Sequence, residues 1–135
     1  DLSIFPRYEF GYGLSYTSFQ YTNLQLSKKK INSHEQIAVT CAITNTGNYA
    51  GEETVQLYIR DKVGSIVRPV KELKDFKKIK LAAGETKTVS FLINREKLSF
   101  YNEQLQWVAE PGDFELMIGA SSRDIRLKSA FELVK

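Results

Sequence analysis

At 135 residues, 42% hydrophobic and 26% charged, the chain has the size and composition of one globular domain able to bury a core without disulfides or metal. The 19 basic and 16 acidic residues leave a formal charge of +3, with the signs interspersed even between Lys71 and Lys80, which excludes a phosphate-tracking stripe and hence nucleic acid as the expected partner. No apolar run approaches the ~18 residues a membrane helix needs, so membrane insertion is not expected.

The chain opens at Asp1 with no initiator Met and with neither the basic start nor the apolar core of a signal peptide, so it is expected to be processed or cut from something longer. "EFGYGLSYTSFQY" (9–21) sets two glycines among aromatics before any clean strand. From Phe19 the apolar residues recur with period two, the spacing that puts alternate side chains on one face of a sheet. Phe19, Tyr21, Leu24 and Leu26 predict a first strand whose alternation slips by one residue between Tyr21 and Leu24. After the turn "KKKINSHE", Ile37, Val39, Cys41 and Ile43 predict a half-buried second strand, closed by the turn Asn45-Thr46-Gly47-Asn48. Val55, Leu57 and Ile59 predict a third strand, expected to lie beside the second.

In "DKVGSIVRPVKELKDFKKIKL", the spacing of Val70, Leu73, Phe76 and Ile79 imitates a helix. Pro69 at its start and the missing cap favour an edge strand with a bend instead. Ala83-Gly84 predicts a turn into a strand with Val89, Phe91 and Ile93 on one face. "REKLSFYNEQ" predicts a single helical turn crossing between sheets. Leu105 and Trp107 are expected to share a buried face, Pro111-Gly112 to turn the chain, and Phe114, Leu116 and Ile118 to form the next strand. Asp124 to Leu133 closes the set. About seven short strands with frequent turns and almost no helix predict an all-β, antiparallel sandwich of immunoglobulin or fibronectin type III-like character, with a jelly roll or closed barrel as the alternative. Phe114 stands where such sandwiches often carry a hydrogen-bonding tyrosine; it can pack but cannot make that bond.

The residues offer little chemistry. Glu52 and Glu53, adjacent on a strand, would point to opposite faces, so they read as turn solvation rather than a paired-carboxylate site. His34, the only histidine, sits in the polar turn "INSHE", which leaves no partner set for a nucleophilic triad or a metal cluster. Cys41, the only cysteine, shares the register of Val39 and Ile43, so a core role is expected and no internal disulfide can form. "GYGLSY" lacks the third glycine and the strand–helix context of a phosphate loop. Tyr12, Tyr16, Tyr49, Tyr58, Tyr101 and Trp107 could stack on sugars by residue type, but the register of Trp107 favours the core. No catalytic, metal-binding or cofactor-binding residue is predicted.

Four ordered pieces, "FGYGLSYTSF" (10–19), "ITNTGNYAGEETVQLYI" (43–59), "RPVKELKDFKKIKLAAGETKTVSF" (68–91) and "WVAEPGDFELMIGASSRDIRL" (107–127), resemble the C-terminal fibronectin type III-like domain of family 3 glycoside hydrolases, β-glucosidase-like enzymes. The resemblance covers nearly the whole chain and implies a domain at 19–135 preceded by a linker and docking segment at 1–18. In that family a barrel-like domain carries the nucleophilic aspartate, a following α/β domain usually supplies the acid/base, and the fibronectin-like domain comes last. Neither catalytic motif has a counterpart here. The resemblance therefore implies a non-catalytic accessory domain of an exo-acting β-glycosidase, with the upstream catalytic domains of the same polypeptide as partner and dimer formation through the parent enzyme.

It also implies that Phe10, Tyr12, Leu14 and Tyr16 pack into an interdomain joint, with Gly11 and Gly13 allowing close backbone approach. A second docking candidate is the loop from Asp61 to Pro69, where Arg68 either pairs with a carboxylate across the interface or is satisfied by carbonyls of its own loop. A periplasmic or extracellular location follows from the same resemblance. The competing function is a stand-alone carbohydrate-binding or adhesive module, which would need several aromatics coplanar on one exposed face.

Overall fold

The structure is a computed structural model that describes residues 17–62, 71–101 and 104–135, with 100 and 101 as backbone only. The predicted residues Phe10, Tyr12, Leu14, Tyr16, Arg68 and Pro69 lie outside the described residues. In chain order the elements are β1 (Phe19–Leu26), β2 (Lys30–Ile31), β3 (Ile37–Asn45), β4 (Gly51–Asp61), β5 (Glu72–Leu81), β6 (Thr86–Ile93), α1 (Arg95–Leu98), β7 (Phe100–Tyr101), β8 (Trp107–Val108), β9 (Gly112–Ser121) and β10 (Asp124–Leu133). Seven of these strands have eight residues or more. They build a three-stranded sheet, β1-β3-β6, and a five-stranded sheet, β2-β10-β9-β4-β5. Every pairing is antiparallel except the short one between β2 and β10.

Alternation decides the core. Ile37, Val39, Cys41 and Ile43 of β3 join Val55, Leu57 and Ile59 of β4 and Leu116 and Ile118 of β9 in one buried cluster, which is the all-β sandwich expected. Phe114 stacks on Phe131 with ring centroids 5.3 Å apart and planes 7° from parallel, so it packs without a hydroxyl. The slip in β1 is a bulge between Thr22 and Gln25, with Asn23 at φ 59°. Gly84 takes φ +77° in the turn between β5 and β6, a conformation that favours glycine.

The segment that imitates a helix is the edge strand β5, and its odd spacing has a local cause. Leu57 pairs with Asp75 but Tyr58 pairs with Leu73, so Lys74 is the extra residue of a bulge. That insertion keeps Leu73 and Phe76, three apart, on the same outward face, while Ile79 packs against the core. Lysines along an exposed edge also oppose pairing with another chain.

Two expectations about the strands fail. The second and third predicted strands, β3 and β4, are in different sheets, because the turn after Asn45 carries the chain across the sandwich instead of closing a hairpin. Trp107 is 47% exposed and Leu105 81%. Trp107 pairs with Tyr101 in a separate two-stranded ribbon, and Leu105 has φ 61° in the turn before it, so their apparent alternation does not belong to a sandwich strand. The single helical turn is found as α1, capped by Asn94 accepting from Lys97 N at 3.2 Å, and it links β6 of one sheet to the ribbon leading into β9 of the other.

Candidate docking surface

The end of the sandwich where the described chain begins is organised by one buried amide. Asn45 is fully buried, and its Nδ2 donates to the carbonyls of Tyr49 at 2.8 Å and Leu81 at 3.2 Å. Its Oδ1 accepts from Gly47 N at 2.9 Å and from the Thr17 hydroxyl. Its backbone is satisfied as well, with Asn45 N donating to Glu85 O and Gly84 N to Asn45 O, each at 2.9 Å. A side chain with both donors and both lone pairs used can sit in a core because its internal hydrogen bonds offset the cost of desolvation.

The same turn clamps the incoming strand. Thr46 N donates to Ser18 O at 2.9 Å, and the Ser18 and Thr46 hydroxyls are 2.7 Å apart. A Cβ on Gly47 would fall 2.1 Å from Thr17 Oγ1 and 2.8 Å from its Cα, so this approach requires glycine. The path of the chain into the sandwich is thereby fixed at Thr17.

Asp61, the one predicted docking residue within the described set, ends β4 opposite Phe114 at the start of β9. That is the other end of the sandwich from Thr17 and Asn45. Strands of this length run roughly 30 Å.

A second polar group spans the two sheets. Tyr21 of β1 donates its hydroxyl to Glu53 Oε2 at 2.8 Å, and the Arg126 guanidinium lies over the Tyr21 ring at 5.1 Å while bonding Asp124 at 2.6 and 2.9 Å and Phe19 O at 3.0 Å. Burial holds the Glu53 carboxyl above the usual range, with the Tyr21 hydrogen bond pulling the other way. Burial also raises the Tyr21 phenol, helped by the Glu53 charge. The Arg126 hydrogen bond lowers Asp124. Glu53 is thus an inter-sheet anchor and not turn solvation. Its odd-numbered register with Val55 and Leu57 was the available signal that it faces inward. Glu52, on the opposite side of the strand, lies 3.9 Å from Lys78.

The remaining reactive groups are structural. Burial pushes the Cys41 thiol up to about 11, which leaves it a small hydrophobe at neutral pH. His34 is exposed in its turn, its N–H donating to Asn32 Oδ1 at 2.8 Å. No three His, Cys, Asp or Glu side chains among the described residues converge on a possible metal position. Of the predicted sugar-stacking aromatics, Tyr58 is buried at 7% exposure, while Tyr49 and Trp107 are exposed but on different elements.

Comparison with known proteins agrees with this geometry. Residues 53–122 match the model of the "Fibronectin type III-like domain" family. The chain is 47% identical over 131 residues to "Beta-glucosidase BoGH3A" of Bacteroides ovatus, covering 96% of this chain and 18% of that protein. It is 43% identical to the "Periplasmic beta-glucosidase" of Salmonella typhimurium, covering 96% of this chain and 17% of that protein. A crystal structure of a β-glucosidase from Listeria innocua in complex with glucose superposes with a TM-score of 0.84 at 44% identity, over 96% of this chain and 18% of that one. The chain therefore spans less than a fifth of the length of these relatives.

Proposed function

The chain belongs to the fibronectin type III-like domain family, and from that membership we propose that it is the C-terminal, non-catalytic accessory domain of a β-glucosidase-like family 3 glycoside hydrolase. One observation carries the proposal: 96% of this chain aligns with only 18% of β-glucosidase BoGH3A, so the relative holds a large remainder in which hydrolysis can reside. The domain acts by packing against the catalytic part of the same polypeptide and holding its arrangement. Residues 1–18 serve as the linking and docking segment, with Phe10, Tyr12, Leu14 and Tyr16 in the joint, and Asp61, Arg68 and Pro69 form a second contact. The clamp at Thr17 and Gly47 supports this reading, because a fixed point of attachment transmits orientation where a loose one would not. The likeness to a periplasmic enzyme of Salmonella typhimurium supports export of the parent protein to the periplasm or beyond.

The test is the coding sequence ahead of Asp1. Barrel and α/β domains there would support the proposal. A signal peptide directly followed by this chain would replace it with the stand-alone carbohydrate-binding module, for which millimolar oligosaccharide titration is the assay.

A further inference from the structure

The two outward sheet faces differ in kind. On the three-stranded sheet the outward positions of β3 and β6 are Thr40, Ala42, Thr88 and Ser90, small and neutral, with Leu92 the exception at 50% exposure. On the five-stranded sheet Met117, Tyr58 and Leu73 stand side by side in register across β9, β4 and β5. Phe76 lies next to them beyond the bulge. Leu73 is 50% and Phe76 60% exposed, while Met117 and Tyr58 beside them are buried at 4% and 7%. At one end of this stripe Arg60, Lys71, Lys128 and Glu115, with Met117, line a shallow depression of about 220 Å³. Glu115 engages Arg60 at 3.1 Å, so the cations there outnumber the carboxylates. Lys78 and Lys80 continue this border along β5, with Glu52 opposite Lys80 and 3.9 Å from Lys78.

We infer that this outer face of the five-stranded sheet is where the preceding part of the polypeptide docks, through an apolar patch bordered by carboxylates, one of which enters the depression between Lys71 and Lys128. The inference rests on the reading of this chain as one domain of a longer protein, and it adds the face and the chemistry of the partner surface. Two exposed apolar side chains, Leu73 and Phe76, adjoining a polar border have the composition of an interaction site. Its excess positive charge disfavours a second copy of the same face and fits an acidic one. A partner in the same chain is held at millimolar effective concentration, so a small patch suffices where free association would need a larger area.

Hydroxyl-radical footprinting of the 135-residue chain and of the longer polypeptide that contains it tests this. Oxidation of Leu73 and Phe76 should fall severalfold in the longer protein while that of Leu92 holds, and a zero-length carbodiimide should cross-link Lys71 or Lys128 to upstream Asp or Glu. Phe76→Glu, at an exposed position that leaves the core intact, should restore oxidation of Leu73. Unchanged Leu73 and Phe76 with protection elsewhere would overturn the assignment of the face and leave the accessory-domain reading standing. Protection nowhere would overturn both. Protection of Phe76 in the isolated chain together with a dimeric sedimentation mass would overturn the choice of partner in favour of a second copy.

Discussion

Replacing Asn45 by alanine removes a fully buried side chain that makes four hydrogen bonds and ties together Thr17, the 45–49 turn and the end of β5. At about 1 kcal/mol net per bond the loss is about 4 kcal/mol; partial rehydration of the exposed carbonyls lowers this to roughly 3. An unfolding entropy near 2.1 cal/mol/K per residue over 135 residues is roughly 0.28 kcal/mol/K, so Tm should fall by about 11–14 °C. Asn45→Asp should cost at least as much, because it aims a buried charge at the carbonyls of Tyr49 and Leu81 and keeps only the two accepted bonds. The assay is equilibrium unfolding in urea, followed by fluorescence and far-UV circular dichroism, with the m-value unchanged. A loss below about 1 kcal/mol for Asn45→Ala would refute the claim that this amide organises the end of the sandwich.

Glu53 gives a pH signature with a definite sign. Its folded-state affinity for protons is raised by burial, so its contribution to stability is present below the ordinary carboxyl range and is lost as pH rises through the folded value; urea titrations should show Glu53→Gln gaining on the parent as pH rises from about 4.5. A gain that shrinks over that range would contradict it. Tyr21→Phe should cost about 1–2 kcal/mol by leaving the half-buried Glu53 carboxylate short of a donor, and Glu53→Gln combined with it should cost less than the sum of the two. Gly47→Ala should destabilise by about 1–3 kcal/mol through collision with the Thr17 backbone, measured by the same unfolding assay. Cys41 should resist Ellman's reagent in the folded chain and react at once in denaturant; rapid labelling under native conditions would place the thiol outside the core.

Much of the fold was legible because period-two burial is a local property. The strands at Phe19, Ile37, Val55, Val89 and Phe114 all follow from alternation, as does the bulge in β1. Sheet membership was not legible, because whether the chain after Asn45 folds back or crosses over is set by contacts distant in sequence, such as the Asn45 amide reaching Leu81 O, 36 residues away. The exposure of Trp107 was hidden for a related reason: a two-residue strand and a residue at positive φ imitate alternation without belonging to a sheet of the sandwich. In β5 the helix-like spacing of Leu73 and Phe76 was the trace of a bulge, and only the pairing with Tyr58 and Leu57 shows it. The outward row of Met117, Tyr58 and Leu73 was unreadable for the same reason, since the three come from separate strands.

The measurement that tests the central claim most directly is hydrolysis of an aryl β-glucoside by three proteins: the 135-residue chain, the longer polypeptide, and the longer polypeptide truncated before Asp1. The account predicts no turnover by the chain, turnover by the longer polypeptide, and a truncated form that loses activity or unfolds at lower temperature. Turnover by the chain alone, or a truncated form as active and as stable as the whole, would contradict it.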